Sequence, residues 1–257
     1  VHEECFEGVA AREISSFVKP DYVVIGEASQ LNIKIGQRGR GEIVLETFGK
    51  PCHSANPEKG INAVYKMAKV IEAIRTLEPT HHPVLGDGIL ELTDIKSAPY
   101  PGASVVPEYC RATYDRRLLV GETKESVLAP IQALLDKLMV EDPQLKAKVS
   151  YAVGKEQCYT GNEITGERFF PGWLYDERDA FVQDVKKELE GMGYTPEITQ
   201  YNFCTNGSHY AGEAGIKTFG LGPSKENLAH TVNEYIEIDQ LTKVTDCYYG
   251  VMKALLK

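Results

Sequence analysis

The chain has 257 residues, enough to bury one large core or two smaller ones. It is 42% hydrophobic and 25% charged, with 37 acidic against 28 basic residues and a formal net charge of -9. That balance, with no lysine- or arginine-rich run, disfavours nucleic acid and anionic membrane as partners, and no apolar stretch reaches the roughly 18 residues of a membrane span.

The opening VHEEC reads as the end of a strand and carries an adjacent pair, Glu3 and Glu4. Residues 7–17 read as a short helix, and DYVVIGEAS (21–29) is an apolar run ending in a Gly-Glu turn at Glu27. GEIVLETFGK (41–50), rich in β-branched and aromatic residues, predicts a strand. Ile61, Val64, Ala68, Ile71 and Leu77 then recur at helical spacing, with Asn56-Pro57 as a start signal. His81-His82 beside Pro83 are expected in an exposed loop. GILELTDIKS (88–97) and VVPEYCRATYDRRL (105–118) predict two more strands. Val127, Ile131, Leu134, Leu135 and Leu138 mark a second helix, whose start Pro130 leaves open, and KAKVSYAVG (146–154) closes with a strand. The order β-α-β-β-α-β is the ferredoxin-like pattern: one antiparallel sheet, both helices on one face, the other face or an edge free for a partner.

After residue 155 comes a turn-rich stretch, then a helix through Phe181, Val185 and Leu189 that stops at Gly191. EITQYN (197–202) and IKTFGLGP (216–223) predict short strands. A C-terminal helix runs through Leu241, Val244, Tyr248, Val251 and Leu255, with Asp239 as its expected cap. Strands alternating with helices on both flanks predict an α/β sheet. The expected organisation is therefore one α/β domain from residues 1–32 and 155–257, interrupted by a ferredoxin-like domain at 33–154. Six scattered cysteines form no CxxC pair, so no disulfide framework is expected and a cytoplasmic location is the default.

Sites in open α/β sheets gather beyond strand ends. Glu3-Glu4, Glu27 and His230 in NLAHTVNE each follow an apolar run. A mixed set of carboxylates and imidazole suits zinc, and also manganese or cobalt. Two such ions roughly 3.5–4 Å apart polarise a carbonyl and supply hydroxide near neutral pH. A carboxylate that does not bind metal then serves as general base. An adjacent Glu-Glu pair can divide these jobs.

The ordered set EE, then GE, then GKPCHSANPEKGINA, then NLAHTVNEYIEI resembles the zinc-dependent aminoacylase family over nearly the whole chain. That family includes carboxypeptidase G, acetylornithine deacetylase and succinyl-diaminopimelate desuccinylase. The resemblance implies a zinc-exopeptidase-like α/β catalytic domain, incomplete here, interrupted by a ferredoxin-like lid or dimerisation domain. It implies that Glu3 is the general base, Glu4 a ligand of one metal, Glu27 the acidic ligand of the other and His230 its partner histidine. It further implies that His53 steadies the oxyanion in a neighbouring subunit's site, that Arg117 lies near the substrate carboxylate, and that Asn206 and Gly207 in TNGSH line the substrate pocket. Arg116, on the opposite strand face, and Arg117 each read equally well as ordinary strand charges. His209 has no partner visible in the sequence.

Two positions depart from the family pattern: Ser104 stands where asparagine is usual, and TNGSH lacks the usual Ser-Asp pair. In the family a histidine, a nearby aspartate and a metal-bridging aspartate lie upstream of the Glu-Glu pair, so the resemblance implies a C-terminal portion that holds at most three of the metal ligands. The expected activity is hydrolysis of an amide next to a carboxylate, in an N-acyl amino acid or dipeptide, by a homodimer joined through the lid. The alternative is a non-catalytic dimerisation module or a pseudoenzyme that keeps the fold.

Overall fold

The computed structural model describes Phe6 and residues 8–256. In chain order, α1 spans Val9–Val18, β1 Tyr22–Ile25, β2 Ile33–Gln37, β3 Gly39–Phe48 and α2 Ala63–Ile74. Then come β4 (Ile89–Ala98), β5 (Tyr109–Leu118), α3 (Lys124–Glu141) and β6 (Lys146–Tyr151). The last stretch holds β7 (Trp173–Leu174), α4 (Ala180–Gly191), β8 (Ile198–Tyr201), β9 (Lys217–Gly220) and α5 (Ile238–Leu255). The chain divides into two compact units. An α/β unit takes the described residues up to Gly39, with Lys155–Thr165 and everything from Phe170 onward. A ferredoxin-like unit takes Arg40–Gly154 and Gly166–Phe169.

In the ferredoxin-like unit the strands lie in the order β6-β3-β5-β4. The pair β3/β6 is antiparallel with Ile43 opposite Tyr151, and β4/β5 is antiparallel with Ile89 opposite Arg117. One core joins Ile43 and Leu45 of β3, Met67 and Val70 of α2, Ala112 and Tyr114 of β5, and Ile131 and Leu135 of α3. Both helices therefore cover the same face of the sheet, as the strand-helix order predicts. Each fully buried aliphatic side chain there contributes about 1.5–3 kcal/mol relative to exposure. Strand β4 closes the order at one side, and among the described residues its outer edge carries no further strand.

Two helix starts differ from the sequence expectation. Asn62, not Asn56-Pro57, begins α2: its Oδ1 accepts from the backbone N–H of Val64 at 2.9 Å and of Tyr65 at 3.3 Å. Pro57 instead opens a single 3-10 turn, Pro57–Lys59. For α3 the start left open by Pro130 is Thr123, whose side chain and that of Ser126 cap each other's backbone N–H. Pro130 lies inside the helix. At the other end of the chain Asp239 is a first-turn residue of α5 paired with Lys243, and Glu237 occupies the cap position.

The sheet of the α/β unit runs β1-β9-β2-β7, with β8 also paired to β2. Strands β1 and β9 are parallel, with Tyr22 opposite Lys217 and Ile25 opposite Gly220. Helices α4 and α5 supply Phe181, Val185, Leu189 and Val251 to one core with Ile33, Ile35 and Phe219 of the strands. The two helices approach closely at Gly250, where a Cβ would stand 2.6 Å from Met192 Sδ.

Strand β2 has no counterpart among the sequence expectations. All five of its residues are buried, including Lys34 and Gln37, so neither alternation nor an apolar run betrays it. The two polar side chains are satisfied by tertiary partners. Lys34 pairs with Glu226 at 2.6 Å and donates to the Gln200 carbonyl at 3.2 Å. Gln37 bonds to Thr205 and Ser208.

Candidate active site

Because β1 and β9 are parallel neighbours, the loops that follow them leave the sheet at the same end. Glu27 stands two residues beyond β1, and the loop beyond β9 carries His230. Gly222 brings the two loops into contact: a Cβ there would lie 2.2 Å from the Glu27 carbonyl oxygen and 2.3 Å from that of Gly26. Ser29 stitches the crossing, accepting from Gly222 N at 3.0 Å and donating to Gly222 O at 3.1 Å. Tyr201, fully buried, donates its hydroxyl to the Glu27 carbonyl at 2.9 Å. Burial, with the Glu27 charge second, raises the Tyr201 pKa far above its ordinary value, so the hydroxyl stays a donor. The backbone at Glu27 is thus held while its side chain is exposed.

His230 is also exposed and takes the left-handed conformation, φ 59°. Its backbone N–H donates to Glu234 Oε2 at 3.0 Å. An exposed carboxylate and an exposed imidazole on adjoining loops fit a borderline divalent cation in kind. Among the described residues, however, no group of three His, Cys, Asp or Glu side chains is arranged to hold a metal ion. Glu3 and Glu4, the expected base and third ligand, lie outside the described residues.

In the ferredoxin-like unit His53 is exposed and bridges to Val105. It caps its own turn rather than α2: Nδ1 accepts the Ala55 N–H at 3.0 Å. With Nδ1 accepting, Nε2 is the ring nitrogen left to donate. Arg116 and Arg117 part company on the two faces of β5. Arg116 is buried, its guanidinium bonded to Glu122 at 2.5 Å, to Thr80 at 3.1 Å and to the carbonyls of Ile89 and Arg117. It is a structural lock. Arg117 is partly exposed and pairs with Asp115 at 2.9 Å, and Arg40 braces the same carboxylate at 3.0 Å. His81 and His82 sit on a small exposed hairpin, His81 paired with Asp87, as expected of a surface loop.

The TNGSH loop is held from several directions. Gln37 at the end of β2 accepts from Thr205 Oγ1 at 2.6 Å and donates to Ser208 Oγ at 3.1 Å. Thr205 Oγ1 accepts from Gly207 N at 3.0 Å. Gly207 presses on Trp173, whose indole nitrogen would stand 2.6 Å from a Cβ there. Asn206 Oδ1 accepts from Gly8 N at 3.1 Å. His209, for which the sequence shows no partner, has two: Ser15 Oγ lies 2.6 Å from Nε2 and Glu213 Oε2 lies 2.8 Å from Nδ1. The residues 208–213 form a π-helix, a geometry that recurs at functional sites. Of these residues Gln37, Ser15 and Glu213 escape a reading of the sequence. Only the His-x-x-x-Glu spacing of 209 and 213 carries a local signal.

Residues 35–143 match the model of the M20 peptidase dimerisation domain. Among curated proteins, the chain is 33% identical over 239 residues to the uncharacterised protein YgeY of Escherichia coli K12, covering 91% of this chain and 58% of that one. It is 25% identical to succinyl-diaminopimelate desuccinylase of Coxiella burnetii, over 93% of this chain and 59% of the relative. Among solved structures, aminopeptidase PepT from Bacillus cereus superposes with a TM-score of 0.71 at 19% identity, over 97% of this chain and 62% of that one. YXEP of Bacillus subtilis, described as a dinuclear metal binding peptidase of the M20 family, gives 0.60 at 11% identity, over 91% and 56%. The chain thus spans under two thirds of the length of each of these four proteins. No helix among the described residues is long and apolar enough to cross a membrane.

Proposed function

For a chain that carries the M20 peptidase dimerisation domain and shares the fold of M20 metallopeptidases, we propose metal-dependent hydrolysis of an amide bond next to a free carboxylate. The substrate class is an N-acyl amino acid or a small peptide, and the working form is a cytoplasmic homodimer joined through the ferredoxin-like unit. The observation that carries this reading is the meeting of the Glu27 and His230 loops at one end of the parallel pair β1/β9, tied at Gly222.

Glu4, Glu27 and His230 are the residues that would hold divalent metal, with zinc favoured and cobalt or manganese compatible. When bound, such ions polarise a scissile carbonyl and acidify a water molecule. Glu3 takes the proton of the attacking water and returns it to the leaving amine. His53 of the partner subunit offers its Nε2–H to the oxyanion that develops at the carbonyl. Arg117 receives the substrate carboxylate, and Asn206 and Gly207 line the pocket. The free outer edge of β4 favours a second role for the ferredoxin-like unit, dimerisation without a part in the chemistry.

The test uses the intact protein with N-acetyl and N-succinyl amino acids. Glu3→Ala is expected to lower turnover by about 10²–10⁴-fold while metal content stays unchanged. Glu27→Ala and His230→Ala are each expected to lower metal content. Turnover that survives Glu3→Ala places the base elsewhere, and metal content that survives both ligand changes defeats the metal assignment. His53→Ala mixed with the Glu3 variant is expected to recover part of the activity if sites are completed across the dimer.

A further inference from the structure

Helix α1 directly follows the Glu3-Glu4 pair in the chain, and one face of it is fastened to the TNGSH loop and the π-helix. The fastening residues recur at helical spacing. Gly8 N donates to Asn206 Oδ1 at 3.1 Å, and Arg12 grips both oxygens of Glu213 at 2.6 and 2.9 Å. Ser15 Oγ meets His209 Nε2 at 2.6 Å. His209 closes the circuit through Nδ1 to Glu213 at 2.8 Å and is itself buried. Its Cβ lies 3.0 Å from where a Gly8 side chain would begin, and Gly8 has φ +79°, so glycine is required there twice over.

Serine, imidazole and carboxylate here share the order of a nucleophilic relay, but Ser15 Oγ also donates to the Arg12 carbonyl at 3.1 Å within the helix. That proton commitment, and the bidentate hold of Arg12 on Glu213, suit a clasp better than an attacking group. Burial alone would raise the Glu213 carboxyl, but Arg12 and His209 outweigh it and hold the group below its ordinary pKa.

We propose that His209 is a positioning residue, which acts through Asn206: by bridging Ser15 of α1 to Glu213 of the π-helix, it fixes the substrate loop against the helix that follows Glu3 and Glu4. The substrate part of this inference rests on the amide-hydrolase reading, whereas the clasp does not. Two readouts keep them separate. The first is amide exchange of Gly8, whose N–H is bonded to Asn206. In His209→Ala, and in Ser15→Ala, which removes the Nε2 partner together with the bond to the Arg12 carbonyl, exchange of the Gly8 amide is expected to quicken about tenfold while strands β1 and β9 keep their protection. Unchanged exchange at Gly8 in both variants overturns the clasp, whether or not the protein turns over an amide.

The second readout is kinetic, in the metal-loaded intact protein with N-acetyl and N-succinyl amino acids. His209→Ala is expected to lower kcat/KM about tenfold at unchanged metal content. Combined with Asn206→Ala it is expected to cost no more than Asn206→Ala alone. Effects that multiply show that His209 does not act through Asn206 and overturn the positioning role. His209→Gln, which can refill one of the two bonds, is expected to recover part of the loss. Without turnover in the unsubstituted protein the hydrolase reading falls, and the Gly8 amide alone decides the clasp.

Discussion

Gly222 lies against the backbone carbonyls of Gly26 and Glu27, and the nearest atoms that a side chain there would meet are all backbone. Gly222→Ala is therefore expected to push the Glu27 and His230 loops apart. The expected loss is about 1–3 kcal/mol of stability in urea unfolding, with weaker metal uptake although no donor has changed. Arg116 makes the contrasting case. Its side chain is 9% exposed and that of its partner Glu122 15%, so the pair is largely dry. Arg116→Met leaves the Glu122 charge uncompensated and is expected to cost roughly 3 kcal/mol. Adding Glu122→Gln should recover part of that, because the amide oxygen still accepts from Leu119 N, which Glu122 now binds at 2.7 Å. The same two arginines, adjacent in sequence and equivalent as letters, separate only when β5 places one against the core and one toward solvent.

At the scale of elements, the helices of the ferredoxin-like unit depend on side chains at their ends. Asn62→Ala removes the acceptor for two N–H groups of α2 and is expected to cost about 1 kcal/mol, read as a lower unfolding midpoint. Asp142, just past α3, accepts from Lys66 of α2 at 2.8 Å and so joins the two helices. The Lys66 hydrogen bond holds its carboxyl below the ordinary carboxylate value. A depressed carboxyl adds stability above its unfolded pKa, about 3.9, and that stability disappears as pH falls through the lower folded value. Asp142→Asn is therefore expected to destabilise by about 1 kcal/mol at pH 7, and the gap to the unsubstituted protein should close as pH falls through the lowered folded value. A gap that persists in acid means that the pair acts through packing. Cap and turn chemistry explains which starts the sequence could reveal. Thr123 and Asn62 are helix-capping letters, yet Asn56-Pro57 offers an equally good local signal, and only the packing of Met67 and Val70 selects between them.

For the whole molecule, the proposed dimer has a natural seam in the outer edge of β4, which among the described residues carries no further strand. Ile95 on that strand is 48% exposed. A two-fold pairing sets like residues near each other, so Ile95→Lys is expected to convert a dimer to monomer in sedimentation. Monomer stability should change by no more than about 0.5 kcal/mol, and an unaltered dimer would place the interface elsewhere. Local periodicity determined the ferredoxin-like order and the helices of both units, while the succession of EE, GE, the His53 segment and the His230 segment spoke only through its resemblance to a known family. Those signals survive in the sequence because alternation and helical spacing are properties of a short window. Tertiary structure alone decided that β1 and β9, at opposite ends of the chain, lie parallel and bring Glu27 toward the His230 loop. It also decided that a wholly buried β2 hides Lys34 and Gln37, and that His209 has Ser15 and Glu213 as partners. Each of these depends on chain segments far apart in sequence closing over a shared core, where burial selects the pairing, and no window of residues records that selection.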